Sequence, residues 1–201
     1  MKLHHLALAG AAALALASAA EAHDVIYNVI LKGANEFPAN ASAGSGIGLV
    51  TVNDDNFTIH LQVTFSGLTG TTTASHIHCC TTVPGVGTAG VATTTPTFAG
   101  FPLGVTSGSY DRTFDMTLAS SWNPAFVTAN GGTLGSAFST LVTGIVAGDA
   151  YLNIHTTFAP GGEIRGFLTP QVAAVPEPAT YALLGAGLGV RGWAARRRSA
   201  A

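Results

Sequence analysis

Three histidines and two cysteines are the side chains of this 201-residue sequence best suited to chemistry. His76 and His78 stand two apart in Ser75-His76-Ile77-His78. On a strand, that spacing sends both imidazoles to one face and turns Ile77 to the other. His155, in Tyr151-Leu152-Asn153-Ile154-His155-Thr156, shares a strand face with Tyr151 and Asn153. If these two segments are neighbours, three imidazoles converge, and three His ligands with one open position suit zinc or copper. The competing reading is a structural network, in which the rings bond to loops or carboxylates and order a sheet face. Glu163 and Arg165 on the adjacent hairpin strand, with Asp111 and Asp115, are its candidate partners. His60 alternates with a core face and reads as exposed.

Cys79 and Cys80 directly follow His78 and are the only cysteines, so no long-range disulfide exists within the chain. A vicinal disulfide, free thiols, pairing between chains and metal ligation all stay open at this point. Reduced thiols beside His-x-His would favour copper or zinc. Other chemistries find no motif. There is no Gly-x-Ser-x-Gly elbow, no Gly-Lys-Ser phosphate loop and no dinucleotide fingerprint after a strand. No catalytic residue is assigned, and the expectation is a protein that is not an enzyme and has no cofactor. Copper or zinc at His76, His78 and His155 is the alternative.

The elements that must position these residues are short strands. Phe57 to Phe65 alternates without a break, with apolar odd positions and polar even ones, which marks a strand half in a core and half in water. Asn53-Asp54-Asp55-Asn56 is a turn signal joining it to Ile47–Val52 as a hairpin. Tyr110 to Leu118 alternates similarly, placing Tyr110, Phe114, Met116 and Leu118 on one face with Arg112. Val25–Leu31 is a further strand. Ala150–Thr157 and Glu163–Leu168 flank Pro160-Gly161-Gly162, a second hairpin. Ala137, Phe138, Leu141, Val142 and Ile145 recur at helical spacing, and Gly148 offers a C-cap, which predicts a helix over 136–147. The Thr-, Gly- and Pro-rich stretch 81–108 reads as a long surface loop. Together these predict an all-β fold, an Ig-like or Greek-key β-sandwich with one short helix. An N-terminal signal peptide and a C-terminal hydrophobic helix flank it.

Charge is sparse, at 9% of residues, and unevenly placed. Between residues 23 and 174, Lys32, Arg112 and Arg165 face eight carboxylates, a net −5. That acidic body excludes nucleic acid as a partner. Residues 1–22 carry Lys2, an apolar run from Leu6 to Ala17 and small residues beyond, the order of a secretory signal peptide cut by signal peptidase. At the other end, Pro176-Glu177-Pro178 precedes an apolar stretch and then Arg196, Arg197 and Arg198. The prolines keep the triplet extended, and the arginines hold the end of a membrane helix, 179–195, on the cytoplasmic side.

Two resemblances follow from these residues. Glu36-Phe37-Pro38, Ser66-Gly67-Leu68 leading to His76-Ile77-His78, and Asn153-Ile154-His155 followed by Gly162-Glu163-Ile164-Arg165-Gly166 resemble the CHRD domain. The likeness covers residues 23–170 as one unit and implies a small extracellular β domain with no general enzymatic activity. Residues 171–201 resemble a PEP-CTERM sorting tail, which implies recognition by an exosortase, a membrane-tethered precursor, and release to the cell surface or extracellular matrix. The Phe-His-Val-His pattern of copper–zinc superoxide dismutases is similar to Ser75–His78 over four residues. The expectation is therefore an exported, non-enzymatic surface or matrix protein in contact with extracellular polysaccharide. The alternative is a periplasmic or surface copper or zinc protein, with a dismutase-like redox activity as its enzymatic form.

Overall fold

A computed structural model describes residues 24–171. The expected signal peptide (1–22), the sorting triplet Pro176, Glu177 and Pro178, the membrane helix (179–195) and the cluster Arg196, Arg197 and Arg198 lie outside them. Among the described residues no helix is long and apolar enough to cross a membrane.

The fold is all-β. Its strands are β1 (Asp24–Lys32), β2 (Ser45–Asn53), β3 (Thr58–Ser66), β4 (Thr72–His78) and β5 (Gly108–Asp115), then β6 (Tyr151–Thr156), β7 (Ile164–Phe167) and β8 (Thr169–Pro170). Two helices, α1 (Pro124–Ala129) and α2 (Leu134–Ala147), fall between β5 and β6. The sandwich takes the form of one antiparallel sheet in the order β4-β6-β7-β1-β2-β3-β5, with β8 beside β1. One buried cluster gathers Leu61, Val63 and Phe65 from β3 with Ile77 from β4, Leu152 and Ile154 from β6 and Ile164 from β7. The two ends of the sheet therefore enclose a shared core. β4 lies at the edge opposite β5, so the chain crosses the sheet from β3 to β4 and crosses back from β4 to β5.

Each half obeys its alternation. In β3 the residues Ile59, Leu61, Val63 and Phe65 are buried, and the β2–β3 hairpin closes where Asn53 Oδ1 accepts from the Asn56 amide at 2.7 Å. The strand expected to run to Leu118 stops at Asp115 instead. The Asp115 carboxylate accepts from the Thr117 amide at 2.8 Å and from its hydroxyl at 2.6 Å, a local turn that competes with the ladder. Met116 is still buried, but Leu118 is left exposed. Helix α2 starts two residues before the expected 136, because Thr133 and Ser136 cap each other reciprocally, and Gly148 ends it at φ 78° as a left-handed C-cap. Helix α1, capped by Asn123, lies where no element was expected.

The seam between the two halves is narrow. β1 and β7 pair only at Lys32 and Arg165. Asn35, in a 3₁₀ turn after β1, stitches the seam by donating to Ile30 O at 3.0 Å and to Arg165 O at 3.1 Å. A second tie is Glu163, fully buried. Its carboxylate accepts from the Ser42 hydroxyl at 2.5 Å, the Thr69 amide at 2.6 Å, the Gly70 amide at 3.0 Å and the Thr156 hydroxyl at 2.5 Å. Burial alone would raise its pKa, but these donors together hold it below the usual range.

The seam yields a prediction. A Cβ at Gly166 would collide with the Ile30 carbonyl and crowd the Val29 side chain. Gly166→Ala is expected to cost about 1–3 kcal/mol, read as a lowered midpoint in denaturant. An unchanged midpoint would mean that the two halves are not held by that contact.

Candidate functional site

The three sequence-flagged histidines meet on one face of the β4–β6 pair. The strands are antiparallel neighbours, with His76 opposite Asn153, His78 opposite Tyr151 and Ala74 opposite His155. Ile77 turns to the other face and is fully buried in the core. One ring nitrogen from each of His76, His78 and His155 lies within 4.8 Å of the others. His78 Nε2 and His155 Nε2 are 3.4 Å apart.

This face is not solvent-facing, because the segment after β4 returns over it. Sequence reasoning gives 81–108 as a surface loop, and it contains no regular strand, but it is pinned to the free edge of β4. The Ala92 amide donates to Ile77 O at 2.9 Å, the Phe98 amide to Ser75 O at 3.1 Å, and the Cys79 amide to Gly90 O at 3.1 Å. Thr97 and Thr93 hydroxyls accept from the Ser75 and Ile77 amides, each at 3.0 Å. Ala92, Thr93 and Phe98 are buried as a result. The edge of β4 is satisfied by an irregular segment whose threonines take the acceptor role of a neighbouring strand.

The same segment holds two of the rings. His76 Nε2 bonds to Pro96 O at 2.6 Å and His78 Nδ1 to Ala89 O at 2.9 Å. His155 Nδ1 bonds to Pro160 O at 3.0 Å, in the β6–β7 turn. Of the loops and carboxylates that sequence reasoning names as partners, the loops supply them, through backbone carbonyls. Asp111 instead bonds His60 at 2.7 Å and Gln62 at 2.9 Å, because β5 lies at the opposite sheet edge, and Asp115 is spent on its own turn. His60 is part-exposed on β3. Glu163 is taken up by its own four donors.

Beyond the histidines, the face continues into groups that the motifs do not single out for chemistry. The His78 ring stacks on Tyr151, centroids 4.9 Å apart, and the Arg165 guanidinium lies 4.7 Å from the Tyr151 ring centroid. Arg165 is itself buried, donating to Asn35 O at 2.5 Å and Gly87 O at 2.8 Å, with its Nε 3.8 Å from Glu36 Oε2. Glu36 arrives from the turn after β1, and its placement needs the seam, which no local pattern encodes. The two cysteines are joined as a vicinal disulfide packed on α2. A Cβ at Gly144 would strike both sulfurs, so the close approach of helix and disulfide requires glycine there.

Burial sets the protonation states. It lowers His76 to about 4 against the pull of the Pro96 carbonyl, and His78 likewise to about 4 against Ala89. Burial also lowers His155. Glu36 moves the other way, raised to about 7 by burial in spite of Arg165 and Asn153. At neutral pH the three imidazoles are uncharged, the state in which histidine binds a metal.

Comparison with known proteins gives two matches. The family model described as the CHRD domain matches residues 27–168. The one described as the PEP-CTERM protein-sorting motif matches residues 174–198. Neither a curated protein nor a solved structure matches the chain.

The pKa shifts fix the sign of an acid transition in chelator-treated protein. Below pH 6.5 the unfolded chain takes up protons on the three histidines, and the fold resists this until about pH 4 for His76 and His78. Their stabilisation is present above 6.5 and lost on acidification. Glu36 opposes this: its contribution is present below 4.5 and lost as pH rises to about 7. With three groups against one, the melting temperature is expected to fall from pH 7 to pH 4.5, and more steeply in Glu36→Gln. A flat profile would contradict the buried, neutral assignment.

Proposed function

We infer, for a chain that belongs to the CHRD domain family and carries a PEP-CTERM protein-sorting motif, that it is a non-enzymatic protein displayed on the cell surface and in the extracellular matrix. The motif directs exosortase-dependent sorting through the membrane to the surface. What carries the finer reading is the separation of domain and signal. Among the described residues every buried core residue lies between Tyr27 and Leu168, and the motif match begins at residue 174. Processing at the motif leaves the buried core of the described residues intact.

The buried carboxylate of Glu163 is fully engaged in holding segments together, as befits a structural group. On the outer face of the sheet, a groove lined by Asn28, Ile30, Ile47, Gln62, Thr64 and Asp111 stays open. Its floor is mainly apolar, with Ile30 and Ile47 exposed. The side chains of Asn28, Gln62, Thr64 and Asp111 set among them suit the apolar faces and hydroxyls of an extracellular polysaccharide, which is the matrix contact this reading assigns. Signal peptidase and exosortase are its processing partners.

Replacing Pro176, Glu177 and Pro178 by alanine in the producing cell tests the pathway. Fractionation and immunoblotting are expected to show an unprocessed precursor retained in the membrane. Normal release of a mature-length protein from that variant would end the sorting assignment.

A further inference from the structure

Beyond surface display, we infer that His76, His78 and His155 form a three-nitrogen binding site for a borderline divalent cation, zinc(II) or copper(II). The inference starts from which nitrogens carry protons. A carbonyl oxygen accepts and cannot donate, so each ring nitrogen bonded to one must be its N–H. The protons therefore sit on His76 Nε2, His78 Nδ1 and His155 Nδ1, fixed by Pro96, Ala89 and Pro160. In a neutral imidazole the other nitrogen is then a bare lone pair. His76 Nδ1 is buried with no hydrogen-bond partner. His78 Nε2 and His155 Nε2 have only each other, at 3.4 Å, and neither has a proton to give.

This arrangement is unfavourable as it stands. Lone pairs that face one another at hydrogen-bond distance repel, and a buried acceptor without a donor costs about 1–3 kcal/mol. The deficit extends over the same face, where Glu36 Oε1 and Asn153 Oδ1 are also buried without partners. His76 Nδ1 and Asn153 Oδ1 can only accept, and Glu36 Oε1 accepts whenever its carboxyl is ionised, so this part of the face is short of donors. Arg165 directs its Nε to Asn35 O and its Nη1 to Gly87 O, and no hydrogen bond joins it to the orphaned atoms. A cation at the imidazole centre would satisfy three nitrogens at once.

Spacing and chemistry then choose the cation. Tetrahedral zinc holds nitrogens at about 2.0–2.1 Å, which sets them about 3.3 Å apart. The His78–His155 separation already matches, and one ring nitrogen of each of the three histidines lies within 4.8 Å of the others. Imidazole nitrogen suits zinc and copper, whereas magnesium and calcium require oxygen ligands. The three carbonyls also supply the outer contacts that orient metal-binding histidines and fix their tautomer. A fourth position is left for water.

The test uses the full exported chain, stripped with chelator and titrated by calorimetry with zinc(II) and separately with copper(II). Binding of one ion per chain is expected, with a melting temperature that rises with metal concentration and no response to magnesium or calcium. His155→Ala is expected to weaken binding by at least about a hundredfold, since even outer-shell losses cost 10–100-fold. His60→Ala, at a part-exposed histidine on β3, is expected to leave it unchanged. Cobalt(II) provides a readout independent of variant stability: intense visible bands in wild type, bleached by zinc, report a low-coordinate nitrogen site. Folded wild type that binds neither zinc nor copper stoichiometrically would overturn the inference. So would binding that survives His155→Ala or disappears in His60→Ala. Each such result would leave surface sorting untouched, because sorting depends on the motif at 174–198 alone.

Discussion

The free edge of β4 is the constraint on which the rest of the molecule turns. A strand at the rim of a sheet presents amides and carbonyls that must find partners. Here the segment from Gly90 to Phe98 supplies them without being a strand, using Ala92 and Phe98 amides, the Gly90 carbonyl and the hydroxyls of Thr93 and Thr97. Because that segment is held along the edge, its Pro96 carbonyl and the carbonyl of the adjoining Ala89 are brought over the outer face of β4. The pairing that protects the edge is therefore also what buries His76 and His78 and sets their tautomers. Edge protection and site construction are one set of hydrogen bonds.

Burying a polar face has a cost that packing must offset. Arg165 is almost wholly enclosed, between Tyr151 and Phe167 and against two backbone carbonyls. Its distance to Glu36, 3.8 Å, is that of a loose pair, and a loose buried pair does not recover the desolvation of two charges. The raised pKa of Glu36, about 7, is the same imbalance seen from the carboxylate. The histidines, the carboxyl group and Asn153 form one under-donated surface beneath the loops. Such a surface is costly for a domain whose only task is to be compact, and so it points toward something it binds.

The strand system was legible because alternation is a local signal. Phe57 to Phe65 names its own inward face, and His76, Ile77 and His78 sort themselves onto two faces by the same rule. The helix could be read from Ala137, Phe138, Leu141 and Ile145, though its start could not, since Ser136 closes the capping box in place of the usual Glu or Gln. What could not be read is set by distant partners. Nothing in a Thr-, Gly- and Pro-rich stretch tells that Thr93 and Thr97 will serve a strand edge, or that Pro96 O will meet a histidine. Glu36 reaches Arg165 only because Asn35 stitches the β1–β7 seam, a contact 130 residues apart in sequence. The curl of the sheet into a single body belongs to the same class, since it depends on which edge β4 joins.

Glu163 has a consequence for how an exported domain is made. Small secreted folds commonly tie remote parts of the chain with disulfides, but the two cysteines here are adjacent and link nothing remote. Ser42, Thr69, Gly70 and Thr156 converge on a single buried carboxylate instead. That crosslink forms and breaks without electron transfer. The long-range topology can therefore be reached with no thiol oxidase or disulfide isomerase in attendance, and no reductant outside the cell can cut it.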